Sequence, residues 1–361
     1  METGRPSSLR VISALALALA GASCGAEGSR AGGASLGQAV VYGTDDRKEA
    51  FAGDEPAWLT EATSTRLLAL GDREEITLSD AGKVSVDAPT LQQRFDLCEG
   101  EAFAAQPSFA TCSAVIVSSR YVLTAAHCTR ALSLDQQVGL SRFYNESSGA
   151  LHSLGPDELH TFTKVVTHDD YWDYAWLELT EPISGLVTAS VGFVANGDAI
   201  ASIHHGAGLP AKVTRSTAAS VDEASFLSTL DAFGGASGGP IFSEAGELLG
   251  ILTSGAPDYQ MSASGCLVTA RRVDTPDAAA ELAVRLDFAL EGLCTVANDP
   301  ELCPALAPPA GERGCAIAHG PARSRTSAAS ILAALFMLLS LLRRNSELRG
   351  ADRMKGRPAP W

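Results

Sequence analysis

The chain has 361 residues, enough for one large or two smaller domains, and 42 acidic against 27 basic side chains give it a net charge of −15. That balance argues against nucleic acid as a partner, because a phosphate backbone is held by a basic patch. Beyond solubility the acidity says little about function.

Residues 1–22 read as a secretory signal. Arg5 and Arg10 precede an apolar run from Val11 to Ala20, and Ala20-Gly21-Ala22 offers small residues for cleavage. The run is too short to span a membrane. Residues 23–40, rich in Gly, Ala and Ser, read as a leader or propeptide. In 41–108, an N-terminal segment, short strands are predicted at 66–70, 75–78 and 83–86 between turn signals such as Gly71-Asp72 and Asp80-Ala81-Gly82. From 109 to 180, Val115, Val117, Val122 and Thr124 favour strands, with Ser118-Ser119-Arg120 as a turn. Further strands are predicted at 187–189, 191–194, 211–214, 240–242 and 248–253. Thr275 as a cap, Pro276 and Asp277 then predict a helix in which Leu282, Leu286 and Leu290 share one face. Residues 293–326 read as a Cys-containing linker, rich in Pro, Ala, Gly and Arg after 304. Residues 327–361 read as a transmembrane or sorting tail, because 327–342 carry no charge and Arg343-Arg344 end the run. The tail implies membrane association before any processing.

The stretch with most chemical content is Phe233-Gly234-Gly235-Ala236-Ser237-Gly238-Gly239-Pro240. Glycines on both sides of a serine let the backbone turn tightly and let a substrate approach. By itself the motif also fits the G-x-S-x-G elbow of α/β-hydrolases, or a glycine-rich loop with an idle serine. A second stretch narrows the choice: Cys112-Ser113-Ala114-Val115-Ile116-Val117, followed by Tyr121-Val122-Leu123-Thr124-Ala125-Ala126-His127-Cys128. A third, Asp173-Tyr174-Ala175-Trp176-Leu177-Glu178-Leu179, sets an aspartate at the head of an alternating apolar strand. Asp169 and Asp170 are rivals for that place but lack the following Ala, Leu and Leu in phase.

Together these stretches resemble the chymotrypsin-like serine proteases, in chain order as well as in wording: histidine, aspartate, serine. An α/β-hydrolase would run serine, acid, histidine. The resemblance implies an all-β fold of two antiparallel β-barrels with a C-terminal helix. The protease core would span 109–292, with 41–108 as part of, or an elaboration on, the first barrel. It implies catalytic His127, Asp173 and Ser237, an oxyanion hole from the amides of Gly235 and Ser237, and a Cys112–Cys128 disulfide beneath the histidine. It requires no cofactor and no metal, and its partners are protein or peptide substrates. Cys98, Cys266, Cys294 and Cys303 form an even remainder whose pairing the sequence leaves open, with Cys294–Cys303 a local possibility. His204-His205 read as surface or loop residues rather than metal ligands.

Finer resemblances concern specificity and location. Val40-Val41-Tyr42-Gly43-Thr44-Asp45-Asp46-Arg47 is similar to the mature N-terminus of bacterial glutamyl endopeptidases, but Leu252 and Ala232 stand where that branch has histidine and threonine. Asp231, six residues before Ser237, stands where trypsins carry the acid of the primary pocket. Its rival role is to brace the preceding loop by accepting backbone amides. The strand 250–256 would form the pocket wall, with Thr253 and Gly255 facing substrate. Ala236 replaces the aspartate to which trypsin-like zymogens pair a new N-terminal ammonium, and Phe233 replaces a bridged cysteine. Gly314-Cys315, the apolar run and Arg343-Arg344 resemble the tripartite sorting tails of Gram-negative secreted proteins. Cys24 follows the signal as in a bacterial lipoprotein, although Gly21 stands where leucine is preferred. These features imply export to the exterior or surface of a bacterium. Two functions stay open: a secreted serine endopeptidase, or a catalytically silent homologue acting as a surface binding module.

Overall fold

Short apolar runs bounded by turn residues dominate this chain, and most of them become strands. The structure, a computed structural model, describes residues 41–297 and 299–303. The signal, Cys24, the leader, the stretch 304–326 with Cys315, and the apolar tail lie outside the described residues. In chain order the first half contains β1 (Val41–Tyr42), β2 (Lys48–Glu49), helix α1 (Ala57–Thr65), β3 (Leu67–Asp72), β4 (Ile76–Leu78), β5 (Val84–Val86), helix α2 (Leu91–Phe95), β6 (Cys112–Ile116), β7 (Tyr121–Thr124), β8 (Gln137–Ser141), β9 (Leu159–His160), β10 (Phe162–Asp169) and β11 (Tyr174–Leu179). The second half contains β12 (Ala199–His204), β13 (Lys212–Thr217), β14 (Ser225–Ser228), β15 (Pro240–Ser243), β16 (Leu248–Ser254), β17 (Tyr259–Met261), β18 (Leu267–Thr269), β19 (Arg271–Arg272), β20 (Glu281–Arg285) and helix α3 (Leu286–Val296).

Two seven-stranded antiparallel sheets, each curled into a half-barrel, make up the fold. One runs β10-β11-β7-β6-β3-β8-β9 and the other β14-β20-β16-β15-β12-β13-β2. This is the all-β, two-barrel architecture with a C-terminal helix that the sequence implied. Residues 66–86 contribute β3 to the middle of the first sheet and a β4–β5 ribbon. Residues 41–49, expected with the first barrel, pair on the other side of the fold: β2 joins β13, and β1 lies parallel to β19.

The helix differs from its expectation. A single 3-10 turn occupies Pro276–Ala278, and Thr275 makes no side-chain cap. Residues 281–285 are a strand bonded on both sides, with Val284 opposite Ser225 of β14 and Ile251 of β16. Pairing with a strand on each edge gives the segment's backbone groups ladder partners, which outweighs helical spacing at Leu282. The helix begins at Leu286, and Leu286, Ala289, Leu290 and Leu293 form its buried face. That face closes a core to which both sheets contribute, including Leu123 and Trp176 from the first and Ile203 and Ile251 from the second. The fully buried Trp176 indole donates to the Ala289 carbonyl at 2.9 Å, locking α3 onto the first sheet. Residues 187–189 and 191–194, expected as strands, contribute only an isolated bridge between Val191 and Leu248.

Candidate active site

His127 lies in a 3-10 turn, Ala126–Thr129, directly after β7. Two covalent and polar ties fix that turn. A disulfide joins Cys128 to Cys112 at the start of β6, and the Gln137 side-chain amide donates to the Cys128 carbonyl at 2.9 Å. Asp173 meets the turn at three points. Its carbonyl accepts the Ala126 amide (3.1 Å), its Oδ1 accepts the His127 amide (2.9 Å), and its Oδ2 lies 2.7 Å from His127 Nδ1. A carboxylate at Nδ1 places the imidazole proton there and leaves Nε2 as the acceptor. Asp173 achieves this at φ +59°, a left-handed conformation that aspartate tolerates better than most residues and that concentrates at functional sites.

Ser237 sits on the turn 233–240. Amide bonds from Ala236 to the Phe233 carbonyl and from Gly239 to the Ala236 carbonyl, both 2.7 Å, wind it tightly. The turn is fastened to β6 of the other sheet. The Ser113 amide donates to the Ser237 carbonyl and the Ser113 hydroxyl to the Gly235 carbonyl, each at 2.8 Å. Ser113 follows Cys112, so the strand that carries the histidine's disulfide also carries the serine's anchor. The Ser237 carbonyl lies 3.8 Å from Cys128 Sγ, and a ring nitrogen of His127 lies within 4.8 Å of both sulfurs. The Ser237 hydroxyl itself donates to the Thr253 carbonyl at 3.4 Å. Among the described residues it makes no hydrogen bond to His127. Cys112, His127 and Cys128 cluster tightly, but the two sulfurs are bonded to each other and offer no thiolate to a metal.

The Gly234 carbonyl accepts from the Ala207 amide at 2.6 Å. A trans peptide is planar, so the Gly235 N–H must point away from Ala207. Among the described residues the amides of Gly235 and Ser237 have no partner, whereas those of Gly234, Ala236, Gly238 and Gly239 are all bonded. Two free amides flanking Ala236 are what an oxyanion hole requires. Gly235 holds φ +99°, where an added Cβ would crowd the His205 carbonyl oxygen at 2.8 Å.

The cleft beside Ser237 encloses a void of about 30 Å³ and is lined in part by Phe233, Gly234, Thr253, Gly255 and Glu281. Asp231 is elsewhere. It is 2% exposed, and its two carboxylate oxygens accept the amides of Tyr42 (2.6 Å) and Asp46 (2.9 Å). Of the two roles expected for it, pocket acid and loop brace, this geometry fits the brace, because both oxygens are occupied by backbone donors of the segment after β1. Burial pushes its carboxyl up to about 7, with the nearby Asp46 opposing its charge. His204 and His205, expected on the surface, are 0% and 1% exposed at the end of β12. Burial drives both imidazoles down to about 3, so they are neutral packing groups. His205 touches the Leu209 carbonyl through Nδ1 (2.9 Å), and its amide donates to the Ser113 hydroxyl (2.8 Å).

Sequence reasoning passed over two carboxyls close to this cleft. Asp258 is buried and its Oδ2 accepts the Gly234 amide at 2.9 Å. Glu281 is 1% exposed at the head of β20. The only signal for Glu281 was a lone acid inside the apolar run 278–284, and Asp258, in a turn-like Gly-Ala-Pro-Asp stretch, offered none. Two further disulfides close, Cys98–Cys266 and Cys294–Cys303.

Residues 112–251 match the model of the trypsin-like peptidase domain. Solved structures similar to this chain include the VesB protease of Vibrio cholerae, with 16% identity, TM-score 0.41, and coverage of 70% of this chain and 66% of that one. Another is the MamO protease domain from Magnetospirillum magneticum, with 15% identity, TM-score 0.38, and coverage of 64% and 97%. A third is a serine endoprotease from Yersinia pestis, with 16% identity, TM-score 0.41, and coverage of 68% and 69%. No curated protein sequence matches the chain.

Proposed function

We propose that this protein is a serine endopeptidase that cleaves peptide bonds through an acyl-enzyme, with Ser237 as nucleophile, His127 as general base and acid, and Asp173 as the group that orients the imidazole. The observation that carries this reading is the shared anchoring of the two halves. Asp173 grips His127 by ring and amide, and the strand joined to His127's neighbour by Cys112–Cys128 binds the Ser237 turn through Ser113. A serine hydroxyl is a weak nucleophile until a base takes its proton. Ser237 Oγ attacks the substrate carbonyl carbon as its proton moves to His127 Nε2, and the imidazolium formed is stabilised by Asp173. The carbonyl oxygen, now negative, is received by the amides of Gly235 and Ser237. One such donor is typically worth about 2.7–4 kcal/mol of barrier. The C–N bond then breaks, the amine leaves with the proton from His127, and water repeats the sequence on the acyl-enzyme.

The match of 112–251 to a trypsin-like peptidase domain supports the reaction class. The three disulfides among the described residues suit an oxidising compartment, in keeping with export directed by residues 1–22 and, before processing, membrane association through 327–361. A fluorophosphonate probe tests the assignment. The secreted protein should be labelled at one serine and hydrolyse peptide or ester substrates, and Ser237→Ala should lose both. Full activity in that variant refutes the nucleophile. A wild-type protein that is folded, unlabelled and inactive favours the binding-module reading.

A further inference from the structure

Among the residues lining the cleft beside Ser237, only Glu281 carries an ionisable carboxyl. The register of β20 on β16 sets Leu282 opposite Ser254, which brings Glu281 alongside Gly255. Gly255 leaves the space the carboxyl fills, since a Cβ there would overlap Glu281 Oε2. Oε1 is fixed from behind, accepting the Tyr42 hydroxyl at 3.1 Å and the Ala256 amide at 3.4 Å. Oε2 has no hydrogen-bond partner among the described residues. One oxygen is thus clamped while the other stands in the cleft unused. Asp231 cannot serve in its place, because both of its oxygens are taken by backbone amides.

We propose that Glu281 is the primary specificity residue of this cleft and that it selects a lysine or arginine side chain immediately before the scissile bond, with Oε2 receiving the cation. This rests on the serine endopeptidase reading. A substrate stem running past Phe233 and Gly234 would bury its methylenes against apolar surface and deliver its charged end to Oε2. The groups that face Glu281 make the site acidic overall. Asp258 adds negative field, Tyr42 is a neutral donor, and Arg272 of β19 opposes only in part. Burial raises the Glu281 carboxyl well above its ordinary range, and a bound cation favours its ionised form. A cationic side chain gains a charge-assisted hydrogen bond to Oε2 that a neutral one cannot make, and that difference is the source of selectivity.

The test compares kcat/KM for matched peptide amides ending in Lys, Arg, Ala or norleucine. Wild type should prefer the cationic pair, and Glu281→Gln should lower the Lys-to-norleucine ratio by roughly 100-fold or more, the scale of an unpaired buried charge. Glu281→Asp, which keeps the charge and deepens the pocket, should retain cationic preference and move it towards Arg. Benzamidine, a small cation that needs no turnover, should slow fluorophosphonate labelling of wild type and of Glu281→Asp far more than of Glu281→Gln. A wild type that is labelled yet prefers small or apolar residues, with a ratio unmoved by Glu281→Gln, overturns the assignment while leaving the peptidase reading intact. Equal losses on cationic and neutral substrates also overturn it, since they mark a structural role. A wild type that neither labels nor cleaves overturns both.

Discussion

Gly238→Ala probes the joint between the two sheets at its tightest point. Gly238 follows Ser237, holds φ +85°, and lies against β6 so closely that a Cβ would overlap the Ser113 carbonyl oxygen, crowd the Thr124 hydroxyl, and reach within 3.0 Å of Ser113 C. Two costs add. A side chain at positive φ costs about 1–3 kcal/mol. Relieving the clash means moving the serine turn off β6, which lengthens the 2.8 Å bond from the Ser113 amide to the Ser237 carbonyl, worth about 0.5–1.5 kcal/mol. The sum is roughly 2–4 kcal/mol, or a fall in Tm of about 5–15 °C for a domain of this size. Activity should fall further than stability, because a shift of about 1 Å in a reacting group can cost about 100-fold. Gly197→Ala separates the terms. Gly197 has φ +88° but nothing within 4 Å of its added Cβ, so it carries backbone strain alone. Differential scanning calorimetry and burst kinetics on the three proteins give both quantities. If Gly238→Ala melts with Gly197→Ala and keeps wild-type acylation, the close contact with Ser113 does not position Ser237.

Two further outcomes follow from buried groups and cross-links. Asp258 is 2% exposed, its Oδ1 has no partner among the described residues, and burial lifts its carboxyl from 3.8 to about 7. Because the folded value lies above the unfolded one, the unfolded chain loses this proton first. The contribution is complete below about pH 4 and is lost as pH rises to about 7, a span of up to roughly 4 kcal/mol. Urea unfolding at pH 4.5 and 7.5 should show wild type losing up to about 3 kcal/mol more than Asp258→Asn, and parallel profiles would contradict this. The disulfides should differ in value. Cys98–Cys266 spans 168 residues and Cys294–Cys303 spans 9, so chain entropy assigns about 5 and about 3 kcal/mol. Double serine replacements, compared by denaturant midpoint, should rank in that order.

What the sequence displayed were the features whose chemistry is local. The strand runs around Val115, Val122 and Ile251 and the order of His127, Asp173 and Ser237 are readable because residue type and spacing carry them. What escaped were the positions decided by distant partners. Leu282 has helical spacing with Leu286 and Leu290, yet its strand is bonded to both β14 and β16, more than 25 residues away in sequence. Val187 and Val191 have strand propensity but no edge to pair with beyond one bridge at Leu248. His204-His205 read as polar, but β12 carries them into the interior, where neutral imidazole behaves as a packing ring, as in the 5.7 Å contact between His205 and Phe143. Asp231 matched a trypsin position in number, while the segment from Tyr42 to Asp46 occupies its carboxylate.

That segment also bears on how the serine turn is held without the aspartate that Ala236 replaces. Ala236 is 3% exposed and packs among Leu230, Ile241 and Leu252, so among the described residues no ionic partner enters there. Support comes from three other directions. Asp231, at the root of the turn, is fastened to the Tyr42 and Asp46 amides. Asp258 holds the Gly234 amide. The Arg47 guanidinium, paired with Asp45, lies 3.9 Å from the centre of the Phe233 ring. An arginine stacked on an aromatic face and bound bidentately by a carboxylate is a rigid group. The residues on either side of the two free amides are therefore braced by interior backbone and by Arg47, and the strand pairing of Val41 with Arg271 ties that brace to the second half of the fold. Tyr42 links the same brace to the cleft, since its amide serves Asp231 and its hydroxyl serves Glu281. One residue of the N-terminal segment thus couples the stiffness of the serine turn to the acid at the cleft.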